Sequence, residues 1–349
     1  MMSAHEPVPE EGAGAMPAKA KAIILMYHRI TRTELDPWGM CVSPENFSEH
    51  LRAIRRVATP MSLLDFVRAR ESGQLPERAV VVTFDDGYLD NFEQALPLLR
   101  QHQVPATLFI TTCNIDSPRE FWWDRLETLL LAPTTLPERL ELPLDSGVRV
   151  WELGSAANYS PVERENDRGT MAWLAVKDGR LRFFYDVWKS LWPLAADKRE
   201  QALDQLANWS GVDSSPSPSR RSMSSAEIHA MGQESLMTIG AHTVDHPPLS
   251  AHPAEFQSEQ ILLGRENLQQ ILGVPVTTFA YPHGEYSPET IRLLRNAGFE
   301  CAVTVQQKVV GLDSDDMTLP RFGVRDLPGG AFRAQLDAWF GLPETSATA

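Results

Sequence analysis

The sequence predicts an α/β fold, and three observations carry that expectation. Short apolar runs of strand length alternate with helical patterns from Ala22 onward. Several runs end in a polar, chemistry-bearing string, as strands do at the carboxyl edge of a parallel sheet. The composition, 43% hydrophobic and 22% charged, is that of a globular chain able to build an ordinary core.

The expected strands are 22–28, 79–84, 106–111, 237–241, 277–281 and 300–304. Helices are expected at 44–57, 91–102, 253–272 and 287–297. Ser43 caps the first of these, and Gly298 stops the last. An amphipathic stretch at 330–339 should dock Phe332, Leu336 and Trp339 on the body. The segment 121–222 breaks the βα rhythm. It holds seven of the nine tryptophans and ends in the Ser/Pro-rich stretch 214–219, which reads as a flexible loop or linker. We take it as an insertion. Its tryptophans either form a small core of their own or offer aromatic faces to sugar rings.

Other features bound the function. With 349 residues there is room for one large domain or two small ones. A net charge of −14 and the lack of a long basic run exclude nucleic-acid binding. Cys41, Cys113 and Cys301 form no CxxC pair, so neither a disulfide framework nor a structural zinc site is expected. Residues 1–20 read as a disordered leader without the features of a signal peptide, and the expected compartment is the cytoplasm.

The strongest chemical signal is Thr83-Phe84-Asp85-Asp86-Gly87, directly after Val80-Val81-Val82. Alternation along a strand points two successive carboxylates apart, so Asp85 and Asp86 should have different duties. Gly87 permits a sharp exit. A second signal is His242-Thr243-Val244-Asp245-His246. Two histidines four apart are expected to meet on one side of a helical turn, a spacing suited to a divalent ion. Asp86, His242 and His246 would then give three N/O ligands and leave one position open for water, the pattern of a catalytic metal. In Phe279-Ala280-Tyr281-Pro282-His283-Gly284 a tight loop could point backbone N–H groups into the site.

On these three strings the chain resembles the polysaccharide deacetylases, carbohydrate esterase family 4, also called the NodB-homology family. The resemblance covers roughly 22–120 and 223–325 and implies a distorted, partly open (β/α) barrel, here with a helical, Trp-rich insertion. Residues 21–349 would be the catalytic domain. It further implies Asp85 as general base, Asp86, His242 and His246 as metal ligands, and the backbone N–H of His283 in an oxyanion hole. Family members often begin the third motif with an arginine, where this chain has Ala280. Arg321 resembles the arginine that some branches supply from a later motif. Many members also carry a late histidine as the acid, and 330–349 contains none. The string Leu25-Met26-Tyr27-His28 resembles the branch acting on poly-N-acetylglucosamine-type polymers, in which an N-terminal histidine has that duty. His28 is therefore the expected acid.

The expected activity is hydrolysis of an N-acetyl group from an amino sugar with one divalent metal, Zn2+ first on ligand type. The alternatives are an amidohydrolase of this fold acting on a small non-sugar amide, and a non-catalytic carbohydrate-binding relative. The expected partner is a carbohydrate bearing N-acetyl groups. A weak membrane-surface or lipid-linked glycan contact would follow if the 182–192 stretch lay on an interface helix.

Overall fold

The apolar runs pair into one parallel sheet, and their alternation decides which side chains reach the site. The computed structural model describes residues 21–341 except 146, 214 and 312. The expected leader at 1–20 lies outside these residues. We number the sheet strands β1 Lys21–Tyr27, β2 Thr59–Met61, β3 Arg78–Phe84, β4 Ala106–Ile110, β5 Met237–Ala241, β6 Thr278–Ala280, β7 Cys301–Val303 and β8 Phe322–Gly323. The order is β7-β6-β5-β4-β3-β1-β8, with β2 beside β3. The sheet is a curled parallel half-barrel. A buried parallel sheet favours continuous Val/Ile/Leu runs, and β1 and β3 have them.

Period-two alternation splits these strands between two apolar layers. Ile23, Leu25 and Tyr27 of β1 join Val80, Val82 and Phe84 of β3 in the larger cluster. Ala22 and Ile24 join Ala79 and Val81, with Phe109, Ala280 and Val303, in the smaller one. By the same parity His28 and Asp85 continue the smaller layer's side.

Each expected strand and helix forms, with ends moved by a residue or two. Residues 91–102 are the instructive exception. They fold as a π turn, Asn91–Ala95, followed by the α-helix Leu96–His102. Pro97 has no N–H and its ring crowds the carbonyl four residues back, so a single regular helix is not available there. Elements not expected from the sequence include β2, β8, the helices Leu63–Glu71 and Ser225–Gly232, a two-stranded parallel pair of Arg29–Ile30 with Cys41–Val42, and a hairpin of Arg139–Leu144 with Gly147–Glu152. The helix Gly329–Trp339 buries Phe332 and Leu336 and stacks Trp339 on Phe322.

The insertion packs the helices Trp122–Leu131, Arg180–Leu191 and Ala196–Ser210 around its own core. Buried Arg180 ties that core together by donating to the carbonyls of Leu130, Pro133, Ala156 and Ala157. The helix expected as an interface candidate turns Phe184, Val187 and Leu191 inward. Its apolar face is thus covered by protein rather than offered to lipid. In the stretch 214–219, residue 214 lies outside the described residues, and Pro218–Arg220 forms a single 3-10 turn.

Candidate metal centre and active site

Residues 85–87 separate two adjacent carboxylates. The N–H of Asp85 still donates to the Tyr27 carbonyl (3.0 Å), so Asp85 holds the strand's parity. Asp86 then takes φ 74° and Gly87 φ 89°. A Cβ at Gly87 would sit 2.9 Å from Ile110 Cγ2, so both its conformation and its surroundings demand glycine.

Asp85 faces Arg321. The guanidinium donates to both carboxylate oxygens, at 2.7 Å each, and to the Thr304 carbonyl at 2.9 Å. Burial pushes the Asp85 pKa up, but the Arg321 charge and hydrogen bonds outweigh it and hold the carboxyl below the ordinary carboxylate range. Asp85 is thereby ionised and oriented.

Asp86 has the opposite electrostatics. Its Oδ1 lies 3.7 Å from His242 Nε2 and 3.6 Å from His246 Nε2, and it accepts no hydrogen bond. Burial raises its pKa well above the usual value, and the Asp85 and Asp124 carboxylates add to the rise. Burial lowers the pKa of both histidines, which favours the neutral, ligating form. His242 Nδ1 sits 2.7 Å from the Ala280 carbonyl, an arrangement that leaves Nε2 free as a ligand. A buried carboxylate oxygen that accepts no hydrogen bond, beside two imidazole nitrogens, is a donor set suited to a cation. The three ligand atoms lie within 4.8 Å of one another and fit a divalent ion.

The two histidines do not share a helical turn, contrary to the expectation from their spacing. His242 leaves β5 into a loop in which Thr243 and His246 have φ of 65° and 53°. Side chains hold this loop in place of helical hydrogen bonds. Thr243 Oγ1 accepts the His246 N–H, and Gln260 Oε1 accepts those of Val244 and Asp245. Gln260 Nε2 in turn donates to the Asp245 carboxylate (2.7 Å). Gly264, on the helix Ala254–Leu272, allows the close approach, because a Cβ there would lie 2.8 Å from the Thr243 carbonyl carbon. Gly264→Ala should therefore destabilise the fold by about 1–3 kcal/mol, although the same change ordinarily strengthens a helix. It should also weaken metal binding about 10–100-fold. A more stable variant with unchanged affinity in a metal titration would refute this.

All the expected site residues except Arg321 line one cavity of about 290 Å³. Arg321 lies behind it, reaching the site through Asp85. Burial pushes the His28 pKa down to about 4, with Asp85 opposing the fall. His283 has φ 57°, and its ring meets the His246 ring edge-on at 4.4 Å. The turn's backbone bonds run from Gly284 and Glu285 to the Tyr281 and Pro282 carbonyls and do not involve the His283 N–H.

Sequence reasoning missed Met26, Trp38, Met40 and Val305 as lining residues, and left open whether Trp123, Trp173 and Trp188 face a core or the cavity, which they line. Trp123 packs its ring 4.9 Å from that of His246. Its Nε1 donates to the Tyr88 hydroxyl, which donates in turn to Asp124. Burial raises the Asp124 pKa to about 7. The adjacent pair Trp122-Trp123 so close after the Asp-Asp-Gly string was a usable signal for this wall. Trp38 left none, since it comes from a loop remote in sequence.

The model of the polysaccharide deacetylase family matches residues 72–150 and 208–302. The poly-β-1,6-N-acetyl-D-glucosamine N-deacetylase of Staphylococcus epidermidis is 27% identical over 114 residues, covering 28% of this chain and 39% of that protein. The enzyme of the same name from Escherichia coli K12 is 29% identical over 100 residues, covering 28% and 15%. The match thus spans about two fifths or less of these relatives' length. Among solved structures, IcaB from Ammonifex degensii superposes with a TM-score of 0.54 at 17% identity, covering 92% of this chain and 97% of that one. Streptococcus pyogenes deacetylase PplD, in complex with acetate, gives 0.50 at 18%, covering 90% and 96%. At these identities the structural likeness establishes the fold.

Proposed function

Because this chain belongs to the polysaccharide deacetylase family, we propose that it is a metal-dependent hydrolase that removes an N-acetyl group from an amino sugar in a polysaccharide or glycan. The observation that carries the reading is the unpartnered Asp86 Oδ1 between two imidazole Nε2 atoms, with the Arg321-held Asp85 in the same cavity. We propose Zn2+ as the ion on its preference for a nitrogen-rich donor set, and the cytoplasm as the compartment, to which three free thiols are suited.

Asp86, His242 and His246 hold the ion, which when bound polarises the amide carbonyl and acidifies a water molecule. Asp85 takes the proton of the attacking water, and Arg321 keeps it ionised for that purpose. The uncommitted N–H of His283 faces the developing oxyanion. His28 delivers a proton to the leaving nitrogen. Its depressed pKa means the ring begins neutral and must first be protonated, and nearby Asp85 favours that charge. The C–N bond breaks, and acetate and a free amine depart.

Metal analysis with an acetate-release assay tests the proposal. Purified protein should carry about one ion per chain and deacetylate N-acetylated sugar oligomers. His242→Ala and His246→Ala should each lose the ion, since one of only three protein ligands is gone. Full activity with stoichiometric metal in either variant would show the site to be misassigned. Release of acetate from small amides but not from sugars would favour the amidohydrolase alternative. His28→Ala should lower kcat about 100-fold or more with metal retained. With the His28 pKa at about 4, the parent's rate should fall as pH rises above that value, and this descending limb should flatten in the variant. An unchanged profile would leave His28 a structural residue.

A further inference from the structure

The two histidines beside Asp86 are held in different ways. His242 Nδ1 lies 2.7 Å from the Ala280 carbonyl. A bond of that kind fixes the rotation of a ligating ring and reserves Nε2 for the metal. His246 has no counterpart. Its Nδ1 is buried and without a hydrogen-bond partner among the described residues, and its backbone lies in the left-handed region, with φ 53°. Before an ion is bound, packing alone limits the rotation of the His246 ring. Three rings supply that packing. His242 at 4.7 Å and His283 at 4.4 Å stand nearly perpendicular to it, and Trp123 lies at 4.9 Å with the planes at 55°.

Trp123 belongs to the insertion, on the helix Trp122–Leu131, and its own place is set by hydrogen bonds. Its Nε1 donates to the Tyr88 hydroxyl (2.7 Å), which donates in turn to Asp124 Oδ2 (2.8 Å). All three side chains are buried. Phe121 lies flat against the indole, 4.6 Å between ring centroids and 6° between planes. The Tyr88 hydroxyl is the pivot, because it accepts from Trp123 while its own proton goes to Asp124. A buried chain of this kind satisfies every member in one arrangement only, and so defines where the indole lies. Tyr88 also stands two residues after Asp86, just past the Gly87 turn. One short stretch thus presents one metal ligand and anchors the ring packed on another.

We propose that Trp123 is the positioning residue for His246, with Tyr88 and Asp124 fixing the indole, so that the insertion sets the geometry of the metal centre. This rests on the metal-dependent reading and adds residues to it. The test uses the full chain and two measurements, Zn2+ affinity by chelator competition and the visible spectrum of the Co2+ form, which reports ligand geometry. Tyr88→Phe removes one hydroxyl and keeps the ring. It should weaken Zn2+ binding about 10–100-fold and shift the Co2+ spectrum. Trp123→Phe should do at least as much. Adding Tyr88→Phe to Trp123→Phe should change affinity by less than about threefold, because the hydrogen bond it would break is already gone. Leu206→Ala, in the insertion's core but outside this chain of bonds, controls for general loss of stability. It should lower Tm yet leave affinity and spectrum unchanged. Parent-like binding and spectrum in Tyr88→Phe, a full further loss in the double variant, or an equal loss in Leu206→Ala would overturn the proposal while leaving the metal site intact. Should Trp123→Phe fail to fold, Tyr88→Phe measured against Leu206→Ala decides the matter. A parent chain that binds no Zn2+ would overturn both readings.

Discussion

Asp85→Asn is expected to lower kcat about 10²–10⁴-fold while the protein keeps its metal. The amide has nearly the size of the carboxylate but cannot take a proton from water. The bound metal should be unaffected because Asp85 points to Arg321, and Asp86 rather than Asp85 lies beside His242 and His246. Acetate release and metal content measured on the same preparation separate the two roles. Normal turnover would place the base elsewhere, and loss of metal would make Asp85 a ligand.

Arg321→Met should have the largest effect on stability, a loss of about 3–5 kcal/mol, because it leaves a buried carboxylate without its cation. Both partners are almost wholly inaccessible to solvent, so screening does little to soften the loss. The Asp85 carboxyl is held below its ordinary range in the folded chain. The pair's stabilisation is therefore complete above the unfolded-state carboxylate pKa and is lost as pH falls through the lowered folded value. Denaturant unfolding across that acid range should show this slope in the parent and not in the variant. Arg321→Lys should restore only part of the stability, since an ammonium cannot make the two-pronged contact and also bond the Thr304 carbonyl. A variant as stable as the parent at neutral pH would contradict the importance of the pair.

The legible part of this molecule is the part that local pattern dictates. Val80-Val81-Val82 announces a buried strand, and the parity that follows it separates Asp85 from Asp86 without any tertiary information. Arg321 could be named from a resemblance, but its compensation for Ala280 depends on β8 lying beside β1, a pairing of only two residues that leaves little pattern in the sequence. The histidine pair shows where spacing misleads. Positions four apart fit a helical turn, yet Gln260 and Gly264, from a helix packed across the loop, set a different backbone there. The aromatic wall was half legible. The tryptophans were conspicuous, but which of them face the insertion's core and which face the cavity is settled by packing among helices that the sequence does not position.

The location of the insertion has a consequence for the order of assembly. Ala106 of β4 pairs with Met237 of β5, partners about 130 residues apart, and Asp86 comes from before that gap while both histidines come from after it. For a floppy chain the entropy of closing such a loop would oppose the pairing. The insertion's separate apolar cluster offers a shorter route, because a segment that has already collapsed brings its two ends together in advance. The bridges Tyr88↔Ser222 and Glu120↔Arg221 lie where those ends meet. The metal triad is complete only when the strands before and after the insertion have paired, so gain of metal affinity during refolding should report that pairing rather than the collapse of the insertion.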